Sequence, residues 1–270
     1  MKNIIPIPLI VLLLVTMFLV GGIVYGYVHE GKTAGVQTHE VEKTFAGIIV
    51  PHHLLAAELI DEAYQKVPAG DIQHIIILSP NHFYPDLPDI VSSFTVEGVS
   101  VDRGLVQGLM KKFPSLTVND GMVRHEHGIT SQIAFIKRYI PGVPVVPIVI
   151  SAAATQEDIG KLAQALSSEI PQDGTMFVLS TDFSHNTTTV EGLAKNIETI
   201  DAIRSFNYER IASFSDDHID APNAAIVFLT VLNSLGFPNW ELWQSSHSGL
   251  IAGDAGNQGT SYVTGGFYNP

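Results

Sequence analysis

Apolar residues in this chain fall into short unbroken runs, and between the runs they recur at helical spacing. Phe45–Val50 (FAGIIV), His74–Leu78 (HIIIL), Val143–Ile150 (VPVVPIVI) and Thr175–Leu179 (TMFVL) read as strands. The tail returns to strand over Trp240–Ser246 and Ser261–Tyr268. Helical periodicity occupies Leu54–Val67, Val101–Phe113, Ile129–Tyr139, Ile159–Ile170, Val190–Phe214 and Ala221–Leu235. Pro144 and Pro147 place their run at an edge or give it an irregular start, because proline donates no ladder hydrogen bond. A strand apolar on both sides needs cover on both sides, so the pattern predicts an α/β domain with a mainly parallel sheet and helices on both faces. In such sheets ligands bind beyond the carboxyl ends of the strands.

The first residues follow another pattern. No charge interrupts Ile4–Val28. At about 1.5 Å per residue the stretch can cross a hydrocarbon core of about 30 Å. A cleaved secretory signal would have a shorter apolar region and a small-residue cleavage site, and a buried core helix would not be expected at the N-terminus. Residues 1–28 are therefore expected to form one transmembrane anchor, with Pro6 and Pro8 at its start, where proline disturbs a helix least. Lys2 precedes the span and Lys32 and Lys43 follow it, which leaves the positive-inside rule nearly balanced. The expectation is a single-pass protein of the cell membrane with its domain outside the cytoplasm. Residues 29–43 are polar and patternless, hence a linker, and 44–270 form the domain.

Composition narrows the chemistry. The absence of cysteine removes disulfides, zinc-thiolate sites and cysteine nucleophiles. A net charge of −13 without a basic run argues against nucleic acid as a partner. There is no P-loop and no G-x-S-x-G elbow, and the glycine-rich Gly253–Gly259 segment reads as a turn.

Three of the strand-like runs lead directly into histidine: Pro51-His52-His53 after the first, Ser79-Pro80-Asn81-His82 after the second, and Ser180-Thr181-Asp182-Phe183-Ser184-His185 after TMFVL. Parallel strands would open all three loops on one edge. His125 and His127 (VRHEHG) stand just before a helix. Imidazoles gathered at one edge suit transition-metal binding or proton transfer; any one alone would as readily cap a loop through its ring N–H. His52 projects from the strand end and is preferred to His53. His29, His39 and His218 read as solvated, and His74 lies at the opposite end of its strand.

At these residues the chain resembles the MEMO-like family, called AmmeMemoRadiSam system protein B in prokaryotes, which shares a fold with class III extradiol dioxygenases. The resemblance is carried in colinear order by GIIVPHH (47–53), IIILSPNHF (75–83), HEHGITSQIAFIKRY (125–139), VPVVPIVIS (143–151), VLSTDFSH (178–185) and QSSHSGLIAGD…SYVTGGFY (244–268). It implies that His52 and His82 face a divalent metal, with iron(II) first and copper or zinc as alternatives. It also implies that His185 is the acid/base, that His127 lines the same pocket, and that Asp182 orients a ring. Leu250 stands where the family's third ligand is expected, so His247 or Asp254 would substitute, and Asp254 completes the expected metal set. Thr130 replaces an acidic residue of the motif around His127. Two functions follow from the resemblance. One is a metal-dependent enzyme, dioxygenase-like or hydrolytic, acting on a small molecule or a modified protein. The other is a non-catalytic binding protein for a peptide or protein partner, with a vestigial site. The family name adds AMMECR-type and radical-SAM proteins as expected pathway partners.

Overall fold

Strands at the centre of the fold are those whose residues are apolar on both faces. The structure, a computed structural model, describes residues 44–84, 90–171 and 173–269, all within one unit, Lys43–Pro270. The strands are β1 (Thr44–Val50), β2 (His74–Pro80), β3 (Ile90–Ser92), β4 (Leu116–Val118), β5 (Val145–Ile150), β6 (Thr175–Ser180), β7 (Asn239–His247) and β8 (Ser261–Asn269). They form one sheet in the order β4-β3-β5-β2-β6-β1-β8-β7. The helices are α1 (Ala57–Gln65, after a 3₁₀ turn at Leu54–Ala56), α2 (Arg103–Lys112), α3 (Asp120–His125), α4 (His127–Tyr139), α5 (Gln156–Glu169), α6 (Thr189–Arg204), α7 (Tyr208–Ala212), α8 (Pro222–Ser234) and α9 (Ser248–Ile251).

Alternation along the strands divides the core in two. Ile49, Ile76, Leu78, Phe177 and Leu179 pack on one side with residues of α2, α5 and α8. Ile48, Val50, Ile75, Ile77, Met176 and Val178 pack on the other with α1, α3 and α4. Helices thus cover both faces, as the strand pattern requires.

The sheet is mixed rather than mainly parallel. β5, β2, β6 and β1 run parallel, but β3 is antiparallel to β5, β8 to β1, and β7 to β8. β7 and β8 are joined only by α9 and a loop, too short a connection to return the chain to the same end of the sheet. Of the edge or irregular start expected for the proline-bearing run, the edge is corrected, since β5 lies between β3 and β2, while the strand begins only at Val145, after Pro144. Pro147 is accommodated because β3 pairs only with Ile148–Ile150, while the neighbouring bridge on that side is made by Val145 to Val101. The long helix expected over Val190–Phe214 breaks at Phe206 (φ 52°), after which Asn207 caps α7 by accepting the Arg210 N–H.

Among the described residues no helix is long and apolar enough to cross a membrane. The span expected within 1–28 and the linker over 29–43 lie outside the described residues. The expected transmembrane helix before the fold, and with it the single-pass membrane location with an extracytoplasmic domain, is not supported.

Candidate metal centre

β1, β2 and β6 are parallel neighbours, so the loops that leave them open at one edge. Gln132 of α4 ties two of these ends together. Its Nε2 donates to the Pro51 carbonyl at 2.9 Å and to Ser180 Oγ at 3.0 Å, and its Oε1 accepts from Tyr64 at 3.2 Å. His52, buried, donates its backbone N–H to Asp182 Oδ1 at 3.1 Å. After β2, the Asn81 side chain accepts the N–H groups of Phe83 and Tyr84, closing a turn that presents His82. α4 approaches β2 so closely that a Cβ on Gly128 would lie 2.1 Å from Ser79 Oγ. That approach brings His127 over His82, with ring centroids 3.8 Å apart, and within 4.9 Å of the His52 ring.

The carboxylate at the centre is Asp220, which was not singled out from the sequence. An antiparallel bridge between Phe183 and Ile219 and a bond from Asp220 N–H to the Asp182 carbonyl (3.2 Å) hold its segment against the loop after β6. Its Oδ1 accepts from Thr181 Oγ1 at 2.7 Å. Its Oδ2 lies 3.1 Å from His52 Nε2, 3.5 Å from His82 Nε2 and 3.7 Å from His185 Nε2. Three imidazoles therefore converge on one oxygen. Yet Asp220 Oδ2, His82 Nε2 and His185 Nε2 are buried without an aligned hydrogen bond. Unsatisfied buried polar atoms are uncommon in folded proteins, and these three lie at a single point, while His74 Nδ1, His218 Nε2 and Trp240 Nε1 are unsatisfied elsewhere.

Electrostatics reinforces the grouping. Burial would raise the Asp220 carboxyl, but His52 and His82 outweigh it and hold the group well below the usual carboxylate range. Burial would lower His52, but Asp182 and Asp220 leave it raised. His82 is pushed up to about 10 because Asp220 and Glu126 overcome burial. His127 is pushed down to about 4 by burial and by the charges of His82 and His52. Asp182 is raised, chiefly by burial.

Two sets of ligand atoms lie within 4.8 Å of one another: His52, His82 and His127, and His52, Asp182 and Asp220. Of the residues singled out from the sequence, His52, His82, His127, His185 and Asp182 thus come together. Asp254 does not join them; it is exposed on the loop after α9 and its carboxylate accepts from Asn257. His247, the other expected substitute, is buried as the cap of α9, accepting from Gly249 N–H at 3.0 Å, with Nε2 3.1 Å from the Thr187 carbonyl. Leu250 is 52% exposed on α9. His53 faces elsewhere, with Nδ1 2.6 Å from the Tyr262 hydroxyl, and His74 pairs with Asp102 at 3.0 Å. His218 is not freely solvated: its ring stacks on Phe214 at 4.4 Å and pairs with Asp217. Thr130 is exposed.

The fold and site define an α/β protein with imidazoles and carboxylates gathered at the carboxyl ends of its parallel strands. The chain belongs to the Memo-like protein family, whose match covers residues 29–265. A MEMO1 family protein of Pyrobaculum arsenaticum is 26% identical over 83% of this chain and 84% of its own length. One from Aquifex aeolicus is 24% identical over 73% of this chain, which spans only 57% of that protein. In fold, the chain is similar to the uncharacterized protein JW3007 of Escherichia coli K12, with TM-score 0.53 and 14% identity over 82% of this chain and 99% of the other. The His and Asp groups of this Memo-like protein could hold a divalent metal ion.

Proposed function

We propose that the chain binds one divalent metal ion, iron(II) first, through His52, His82 and Asp220, and acts on a small molecule or a modified protein by oxidative chemistry. The observation that carries this reading is the convergence of His52, His82 and His185 Nε2 atoms on Asp220 Oδ2 without aligned hydrogen bonds. Two imidazoles and one carboxylate with positions left open is the donor set of non-haem iron(II) oxygenases. When bound, the metal supplies charge stabilisation and a redox centre. The chain's own groups do the rest. His185 holds or moves a proton at Nε2, beside the carboxylate. Asp182 anchors the His52 backbone. His127, half exposed, stands at the mouth of the site. Phe83 and Tyr84, directly after His82, help line a neighbouring cavity of about 610 Å³ with Met122 and His125, in which none of the proposed metal ligands takes part.

A vestigial binding site drew its support from Leu250 at the expected ligand position. Asp220 supplies a carboxylate from a different segment, which removes that argument. Zinc in place of iron would favour hydrolysis instead. The test is elemental analysis of the purified full chain, alone and as the His52→Ala/His82→Ala variant. About one equivalent of iron that disappears in the variant is expected. Zinc at one equivalent redirects the chemistry to hydrolysis, and no metal in either protein refutes the proposal.

A further inference from the structure

We propose that Glu126 is a positioning residue that fixes the ring of His82, directing its Nε2 lone pair into the metal centre; this rests on the metal-binding reading above. Glu126 separates α3 from α4 and is completely buried. Its carboxylate holds His82 in two places. Oε2 accepts the His82 backbone N–H at 3.0 Å, and Oε1 lies 2.6 Å from His82 Nδ1. Oε1 also accepts the Gly128 N–H at 2.9 Å, in the first turn of α4. A carboxylate shielded from water persists only where donors satisfy it, and here the donors are one loop, one imidazole and one helix start.

The consequence is chemical. An acceptor so close to Nδ1 holds a proton there, so the proton a metal would displace is the one on Nε2, which makes Nε2, on the opposite side of the ring, the ligating atom. That Nε2 is the atom 3.5 Å from Asp220 Oδ2. Glu126 Oε1 is also 3.7 Å from His127 Nδ1, so the carboxylate lies beside a second imidazole of the site. Glutamine cannot replace it. Both carboxylate oxygens face N–H donors, so an amide NH₂ in either orientation would oppose a donor.

The test uses the full chain, wild type and Glu126→Gln, with two readouts. In competition titration against a chelator, zinc affinity is expected to fall about 10–100-fold in the variant, the range for loss of a partner that orients a metal-binding histidine. Affinity within twofold of wild type overturns the proposal. In ¹⁵N-histidine NMR, the His82 Nδ1–H, assigned by its loss in His82→Gln, is expected as a low-field, exchange-protected signal that Glu126→Gln removes. A wild-type Nδ1 that carries no proton, or a signal unchanged in the variant, overturns it. If wild-type protein takes up no metal, the metal reading fails alone and the NMR signal still decides Glu126. If Glu126→Gln does not fold, the wild-type Nδ1–H signal decides by its presence or absence.

Discussion

Replacing Asp220 by asparagine separates the carboxylate found in the structure from the one expected at Asp254. The substitution keeps the side chain's shape and its acceptor toward Thr181, but removes the charge from the point on which three imidazoles converge. A metal that binds only the folded chain stabilises it by about 2.7 kcal/mol at a free concentration 100 times Kd. For a domain of this size each kcal/mol shifts Tm by about 2–4 °C, so metal should raise wild-type Tm by about 5–11 °C. If loss of the ligand oxygen weakens binding 100-fold, the same metal concentration equals the new Kd and contributes only about 0.4 kcal/mol, or about 1–2 °C. The assay is thermal unfolding of wild type, Asp220→Asn and Asp254→Asn, each with iron(II) under anaerobic conditions and with chelator. Each variant is compared with its own chelated form, which cancels any change in the metal-free fold. Asp254→Asn should retain the wild-type shift. A full shift in Asp220→Asn, or its disappearance in Asp254→Asn, would refute the assignment.

Other residues give independent checks. A Cβ on Gly47 would lie 2.5 Å from Leu232 Cδ1 and 2.9 Å from Phe228 Cζ, so Gly47→Ala overpacks β1 against α8 and should cost about 1–3 kcal/mol, measured by urea unfolding. Thr188 caps α6 in a reciprocal pair with Glu191, and Thr188→Ala should lower stability by about 0.5–2 kcal/mol by the same measurement, with an unchanged midpoint speaking against the cap. Burial holds the pKa of His247 below its ordinary value, so the unfolded chain binds its proton more readily. Its contribution is therefore present above the unfolded pKa of about 6.5 and is lost as pH falls toward the folded value. The stability of wild type minus that of His247→Asn should rise with pH from about 5 to 7, and a constant difference would exclude the effect.

What the sequence made legible was set by whether a structural requirement is local. IIIL and TMFVL stand out because a strand covered on both faces is apolar at every position, and those runs became β2 and β6. β3 and β4, three residues each, are too short to show a period, and their partners are set by tertiary contacts. The prolines of the β5 run were read through the general preference for edges, whereas here a gap in the pairing of one neighbour accommodates Pro147. Histidines 52, 82 and 185 were readable as a group because one topological rule places the ends of parallel strands together. Asp220 was not, because it reaches the site through a bridge between two irregular segments, and SDDHID reads locally as a solvated connection. Glu126 lay in view within HEH, but its role depends on a loop more than forty residues away in sequence. Asp254 came from colinear matching to a family, which constrains order along the chain and not direction in space.

The distribution of unsatisfied groups bears on how this edge is stabilised. A buried polar atom without a partner costs about 1–3 kcal/mol. Three such atoms, His74 Nδ1, His218 Nε2 and Trp240 Nε1, lie apart from one another, but Asp220 Oδ2, His82 Nε2, His185 Nε2 and His52 Nδ1 all belong to residues of one cluster. The surrounding shell is well satisfied by contrast, since Asp182, Glu126, Thr181 and Gln132 all make hydrogen bonds at or near 3 Å or shorter. A satisfied shell around an unsatisfied centre would keep the proposed ligand atoms aimed at one point before any metal arrives. On that reading the missing interaction energy would be recovered when metal binds, and the thermal shift of wild-type protein measures it.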